Sequence, residues 1–215
     1  MKPDFIKICG LSTPEAIDAV IDGGATHAGF IFFEKSPRHI QLEQAKALST
    51  HIDRRIPKVA VTVDADDNYL EAVIEAQEPD LLQLHGSESV ARVKELKRQY
   101  GLPIIKVFSI RDAKDLDAAK PYVETADYLM FDAKAPKGSE IPGGNGVAFD
   151  WEIVDQWPKN VPYILSGGLN AQNVCEAISR TGTGAIDVSS GVESSPGIKE
   201  VTMIREFLDA LKQES

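Results

Sequence analysis

Cysteine is nearly absent from this chain: there are two in 215 residues, Cys9 and Cys175. Two thiols make no disulfide framework, so a reducing cytoplasm is the expected compartment. Long apolar runs are missing as well. No stretch approaches the roughly 20 residues that span a bilayer, so no membrane association is expected. The opening Met1-Lys2-Pro3-Asp4 lacks the apolar stretch and small-residue cleavage site of a signal peptide. Positive charge is in deficit, with 23 Lys and Arg against 33 Asp and Glu and a formal net charge of −10. Nucleic-acid binding needs a basic face, so that class of partner is excluded. The same charge repels small anions at long range. A phosphorylated substrate would need local grips, such as helix N-termini, glycine-rich loops and a few placed cations. His27, His39 and His51 do not gather with acids at ligand spacing, so no metal site is expected. No linker or shift in composition interrupts the chain. Residues 1–215 read as one domain of ordinary globular composition, 43% hydrophobic and 26% charged.

What the chain does have is alternation. Apolar runs at 5–8, 27–32, 58–63, 81–84, 104–108, 128–131, 163–165 and 185–188 read as strands. Between them the apolar residues recur at helical spacing: Ala16, Ile17, Val20 and Ile21 after the first run, Leu70, Val73 and Ile74 after the third, Val90, Val93 and Leu96 after the fourth. Val201, Ile204, Phe207, Leu208 and Leu211 close the chain. Ser12-Thr13-Pro14-Glu15 carries a cap residue, a first-turn proline and an early acid. Eight strand–helix units in this length predict a single-domain (β/α)₈ TIM barrel, with a doubly wound open sheet as the rival. The longest irregular piece, 133–148, is rich in Gly and Pro and long enough for an active-site lid.

Strand parity then sorts the side chains. If Cys9 faces the barrel interior, so do Phe5 and Lys7, while Ile6 and Ile8 meet the helices. Asp132 and Asp187 face inward by the same rule, since Leu129, Phe131, Ile186 and Val188 then face outward. Cys9 and Asp132 therefore end the first and sixth strands and project into one mouth, where barrel enzymes carry their catalytic groups. A thiolate is a competent base and a carboxyl group a competent acid. Each residue also has a plainer reading, Cys9 as core filler and Asp132 as a helix cap. Ser166-Gly167-Gly168-Leu169-Asn170 and Ser189-Ser190-Gly191-Val192 follow strands seven and eight, the usual phosphate site of this architecture. Arg38, in Ser36-Pro37-Arg38, could hold a carboxylate with its fork or simply be solvated. His85 shares the parity of Gln83 and lines either the pocket or only the strand end. Lys7 and Lys106 are both expected to point into the barrel. A buried lysine needs an acid, Asp187 or Asp132 for Lys7.

Taken together these motifs resemble one family. Lys7-Ile8-Cys9-Gly10, Ser36-Pro37-Arg38, Gln83-Leu84-His85-Gly86, Gly143-Gly144-Asn145-Gly146 with Phe149-Asp150-Trp151, Ser166-Gly167-Gly168-Leu169 and Asp187-Val188-Ser189-Ser190-Gly191-Val192-Glu193 are similar to phosphoribosylanthranilate isomerases of tryptophan biosynthesis. They stand in that family's order. The resemblance implies a cofactor-free Amadori rearrangement of N-(5-phosphoribosyl)anthranilate to 1-(2-carboxyphenylamino)-1-deoxyribulose 5-phosphate. It implies Asp132 as general acid and Cys9 as general base. Arg38 is then the clamp for the anthranilate carboxylate, Asp187 contacts substrate, and His85 is expected to bind substrate with them. Gly167, Gly168, Ser189, Ser190 and Gly191 hold the phosphate. Asn145 stands where the family usually has Thr, Ser166 where it often has Ala, and Met130-Phe131 where Leu-Leu is common.

Other enzymes of this architecture are the competing reading. An indole-glycerol-phosphate synthase needs a catalytic Lys–Glu set, and a sugar-phosphate epimerase metal-binding His and Asp; neither pattern is present. A catalytically dead barrel acting as a binding module has no use for Cys9 and Asp132 together. A monomer is the default expectation.

Overall fold

Strands and helices alternate along the chain in a computed structural model that describes residues 3–133 and 151–212. The strands are β1 (Phe5–Cys9), β2 (His27–Phe32), β3 (Lys58–Thr62), β4 (Leu81–Leu84), β5 (Ile104–Ile110), β6 (Tyr128–Ala133), β7 (Ile164–Leu165) and β8 (Ala185–Val188). Each pairs in parallel with the next, and β8 closes on β1 through Phe5↔Ala185 to Ile8↔Val188. The helices are α1 (Pro14–Gly23), α2 (Leu42–Ile52), α3 (Asp67–Gln77), α4 (Val90–Tyr100), α5 (Val174–Thr181) and α6 (Val201–Ala210). The fold is a (β/α)₈ barrel, and the open-sheet alternative is ruled out by ring closure. No helix among the described residues is long and apolar enough to cross a membrane.

Local chemistry sets the helix ends. Thr13 accepts the Ala16 N–H ahead of Pro14, and Gly24 takes a left-handed φ of 87° to end α1. Asp66 and Ser89 cap α3 and α4 in the same way. Units five and six depart from the expected pattern. After β5 the chain makes a 3₁₀ helix, Asp115–Tyr122, and a second, Trp151–Gln156, precedes β7. Pro121 lies inside the first and Pro158 follows the second. A proline removes an N–H donor and disfavours α geometry in the residue before it, so neither segment runs on toward its C-terminus as an α-helix.

Two apolar layers follow from strand parity. Phe5, Cys9, Val59, Val61, Leu81, Ile105, Val107, Met130 and Ile164 pack inside the barrel. Ile6, Ile8, Ala28, Phe30, Ile186 and Val188 pack outward against α1, α2, α5 and α6. Two further outer clusters, around Phe131 with Trp157 and around Leu84 with Val93, cover the β4–β6 side. Lys106 does not point inward as expected. Ile105 and Val107 take the interior positions of β5, which puts Lys106 on the outer side, although it is still buried. The expected lid at 133–148 and the 143–146 loop fall almost wholly in 134–150, outside the described residues.

At the floor of the barrel His27 stacks on Phe5, with ring centroids 3.9 Å apart. Burial, helped by the Lys7 charge, pushes its pKa down to about 4. The unfolded chain takes up this proton near pH 6.5 and the folded protein only near pH 4, so stability falls across that window as pH drops. Relative to His27→Phe, the wild-type unfolding free energy should stay constant above pH 7. It should then lose on the order of 2 kcal/mol by pH 4, allowing for partial exposure; urea titrations at both pH values measure it.

Candidate active site

The C-terminal ends of the strands gather the titratable residues. Cys9 ends β1 and is 4% exposed. Lys7, two residues earlier on the same face, is wholly buried, and its Nζ lies 2.6 Å from Oδ1 of Asp187 on β8. The register makes this pairing direct, because Lys7 and Asp187 are cross-strand partners. Asp187 is thus the inward acid that Lys7 requires, and its other oxygen accepts the Ser166 hydroxyl at 3.0 Å. Burial by itself would lower the Lys7 pKa, but Asp187 and Cys9 outweigh it and hold the ammonium above its ordinary value. Burial pushes the Cys9 thiol up, and Lys7 pulls against that rise. On the neighbouring strand, Gly29 makes room. A Cβ there would stand 3.0 Å from Cys9 Sγ and 3.2 Å from Lys7 Nζ.

Asp132 lies on β6, and β7 and β8 separate it from β1 around the ring. It is 4% exposed. His85, just past β4, brings its Nε2 within 3.5 Å of Asp132 Oδ2. Gly167 covers the other side at φ 90°, where a Cβ would meet the Ala133 backbone at 2.4 Å and Asp132 Oδ1 at 3.0 Å. Only glycine suits this position, on grounds of both conformation and space.

The two glycine loops touch. A Cβ on Gly191 would fall 1.9 Å from the Leu169 carbonyl oxygen, so the backbones after β7 and β8 approach as closely as the chain allows. Gly167 and Gly168 are both left-handed. No helix opens directly from the first loop. Asn170 accepts the N–H groups of Gln172 and Asn173 in a turn, and α5 begins at Val174. The Ser189 hydroxyl donates to the Cys9 carbonyl at 3.0 Å, which ties the second loop to the end of β1.

Arg38 is at the mouth but is not solvated. It is 4% exposed, and its Nε and one terminal nitrogen grip the two oxygens of Glu193 at 2.7 and 2.8 Å. Glu193 opens a short hairpin of β9 (Glu193–Ser195) and β10 (Ile198–Lys199). Lys199 Nζ reaches the same carboxylate and donates to the Ser189 carbonyl at 3.0 Å. Burial would raise the Glu193 pKa, but Arg38 and Lys199 hold it below its ordinary value; burial lowers that of Lys199 against the pull of Glu193. Sequence reasoning gave Glu193 and Lys199 no role. The available signal was the rule that a buried Arg needs a carboxylate, but burial of Arg38 could not be read from its loop.

The structure therefore brings Cys9, Asp132, His85, Asp187 and both glycine loops to one end of the barrel, with Arg38 beside them and engaged by Glu193. A separate cavity of about 780 Å³ opens at the opposite end, between the strand starts at Phe5, Tyr128 and Ala185. Its lining holds no Cys or His and sits on the face that barrels use for stability.

A family model described as N-(5'phosphoribosyl)anthranilate (PRA) isomerase matches residues 6–210. The N-(5'-phosphoribosyl)anthranilate isomerase of Brucella canis is 55% identical over 206 residues, covering 96% of this chain and 93% of the relative. Among solved structures, the phosphoribosyl anthranilate isomerase of Thermotoga maritima has a TM-score of 0.85 at 30% identity over 97% of this chain and 98% of its own. Another structure of such an isomerase, in complex with reduced 1-(o-carboxyphenylamino)-1-deoxyribulose 5-phosphate, has a TM-score of 0.82 at 29% identity, covering 97% and 98% of the two chains.

The Lys7–Asp187 pair yields a two-part prediction. Lys7→Met leaves a carboxylate unpaired in the interior and should cost about 3–5 kcal/mol of stability, read by urea unfolding. It should also move the pH midpoint of Cys9 alkylation upward, because the cation that opposes burial is gone. A fully stable variant with an unmoved midpoint would contradict both roles.

Proposed function

The chain belongs to the N-(5'-phosphoribosyl)anthranilate isomerase family, and we propose that it converts N-(5'-phosphoribosyl)anthranilate to 1-(2-carboxyphenylamino)-1-deoxyribulose 5-phosphate in tryptophan biosynthesis. The observation that carries this reading is the placement of Cys9 and Asp132 as inward-facing groups at the ends of β1 and β6, beside the paired glycine loops. Asp132 delivers a proton to the furanose ring oxygen. The C1–O bond breaks and leaves an iminium at C1. The Cys9 thiolate then removes the C2 proton, giving an enolamine. This intermediate gains a proton at C1 and loses one from the C2 hydroxyl, which makes the ketone. Over the cycle the substrate neither gains nor loses atoms, and the acid and base exchange one proton that solvent returns.

The surrounding residues fit these tasks. Lys7 favours the thiolate form of Cys9, and Asp187 keeps Lys7 charged and in place. Backbone groups of Gly167, Gly168, Ser189, Ser190 and Gly191 receive the phosphate, and the Lys199 cation beneath Ser189 favours an anion there. Arg38 meets the anthranilate carboxylate while Glu193 orients its guanidinium. His85 lies against the acid.

We also propose that the protein is a monomer in solution. Among the described residues the exposed large hydrophobics are Tyr128 and Ile198, on different elements, which is less than a stable dimer interface requires. One Thermotoga maritima structure is of monomers generated from a dimeric isomerase, so a sedimentation run giving twice the chain mass would overturn the monomer.

The activity test follows the fluorescence decay of phosphoribosylanthranilate made in situ. The wild type should catalyse the decay. Cys9→Ser and Asp132→Asn should each lower kcat by roughly 10²–10⁴-fold while a reduced product analogue still binds. Near-normal turnover in either variant removes the role given to that residue. Alkylation of Cys9 should inactivate, and bound product should protect; equal loss with and without product would place Cys9 outside the pocket.

A further inference from the structure

One buried ion pair lies outside the barrel interior and has no part in the reaction just described. Lys106 is 2% exposed and Glu88 7%, with Nζ and Oε2 3.0 Å apart. Charges so deeply placed need full engagement, and here the remaining partners are peptide groups, three of them from residues 84–86 and one each from Val107 and Asp64. Lys106 Nζ donates to the Leu84 carbonyl at 3.3 Å, the Gly86 carbonyl at 2.8 Å and the Val107 carbonyl at 3.2 Å. Glu88 accepts the Gly86 N–H on both oxygens at 3.1 Å and the Asp64 N–H at 3.0 Å. Asp64 in turn accepts the Ser87 N–H at 2.7 Å, and the Tyr122 hydroxyl donates to the Glu88 carbonyl at 2.9 Å. Gly86 has no room for a side chain, since a Cβ would lie 2.5 Å from Asp64.

His85 is at the centre of this network. The Leu84 carbonyl belongs to the peptide bond before it, and the Gly86 N–H to the one after it. Both are held, and the N–H of His85 itself donates to the Thr62 carbonyl at 2.9 Å. The backbone on either side of one histidine is thus fixed from outside the barrel, while its ring points inward to Asp132. We propose that Lys106 and Glu88 are positioning residues for catalysis, holding the His85 imidazole against the Asp132 carboxyl group. This inference rests on the reading of the mouth as the catalytic site with Asp132 as proton donor. A positioning role predicts a cost in turnover, since a displacement of about 1 Å in a reacting constellation can cost up to ~10²-fold. A packing role predicts a cost in stability alone.

The test is a double-mutant cycle between Lys106→Met and His85→Asn, read as kcat and KM on phosphoribosylanthranilate in thermally folded samples. Lys106→Met should lower kcat by roughly tenfold to a hundredfold with KM little changed, and should cost nothing further in the His85→Asn background. Unchanged kcat in Lys106→Met overturns the proposal. So does an equal loss in both backgrounds, and so does normal turnover in His85→Asn. If Lys106→Met does not fold, Lys106→Met with Glu88→Gln removes the pair without stranding a carboxylate and enters the same cycle. If that variant also fails, Asp64→Asn loosens the Ser87 anchor at an exposed position, and absence of coupling to His85 overturns the proposal there. Asp132→Asn is read separately. Normal turnover in it removes the acid assignment, whereas the cycle reports on the Lys106–His85 link by itself.

Discussion

The ion pair between Lys7 and Asp187 sits where the barrel would otherwise be packed with apolar side chains. A lysine ammonium with no access to water is costly unless a carboxylate meets it directly, and the β1–β8 register supplies that carboxylate. Other features of the mouth follow from accommodating this pair. Gly29 leaves the space that Lys7 Nζ and Cys9 Sγ share, and Ser166 uses the second oxygen of Asp187. The thiol at the strand end therefore sees a fixed positive charge in surroundings that otherwise disfavour its ionisation.

A net charge of −10 is an odd background for the phosphate- and carboxylate-bearing substrate proposed for this protein. The site answers it by confining its cations. The side chains of Arg38 and Lys199 are both buried at the mouth, and Glu193 sits between them and fixes both. Lys199 in turn supports Ser189, and Ser189 is bonded to the Cys9 carbonyl. Arg38, the loop after β8 and the end of β1 are thereby one hydrogen-bonded unit. Short-range placement of cations overrides a repulsive long-range field because interactions inside a poorly solvated mouth are screened far less than those across the surface.

Much of this was legible in order and parity. The eight strands fall within a few residues of their expected positions, since a strand of a parallel barrel is buried on both faces and must read as an apolar run. Inward placement of Cys9, Asp132 and Asp187 followed from the two-residue period alone. The expectation failed at Lys106: both faces of β5 are buried, so a polar residue among Ile104, Ile105, Val107 and Phe108 does not reveal which face it takes. The 3₁₀ segments of units five and six were not foreseen, although Pro121 and Pro158 each remove an N–H donor and restrict the residue before them. The delayed start of α5 depended on side-chain bonds of Asn170 and Asn173 that compete with the helix.

The sequence by itself determined the barrel, the strand ends and the set of residue types that could carry acid–base chemistry on a phosphorylated substrate. These are consequences of periodicity and of local chain geometry, which act over a few residues. Only the tertiary structure decided the partners: Asp187 for Lys7, Glu193 for Arg38, Glu88 for Lys106 and Asp132 for His85. Each pair joins residues on different strands or loops. Which opposite charge meets a buried charge is set by barrel register and loop closure, and neither is written in the spacing of one segment.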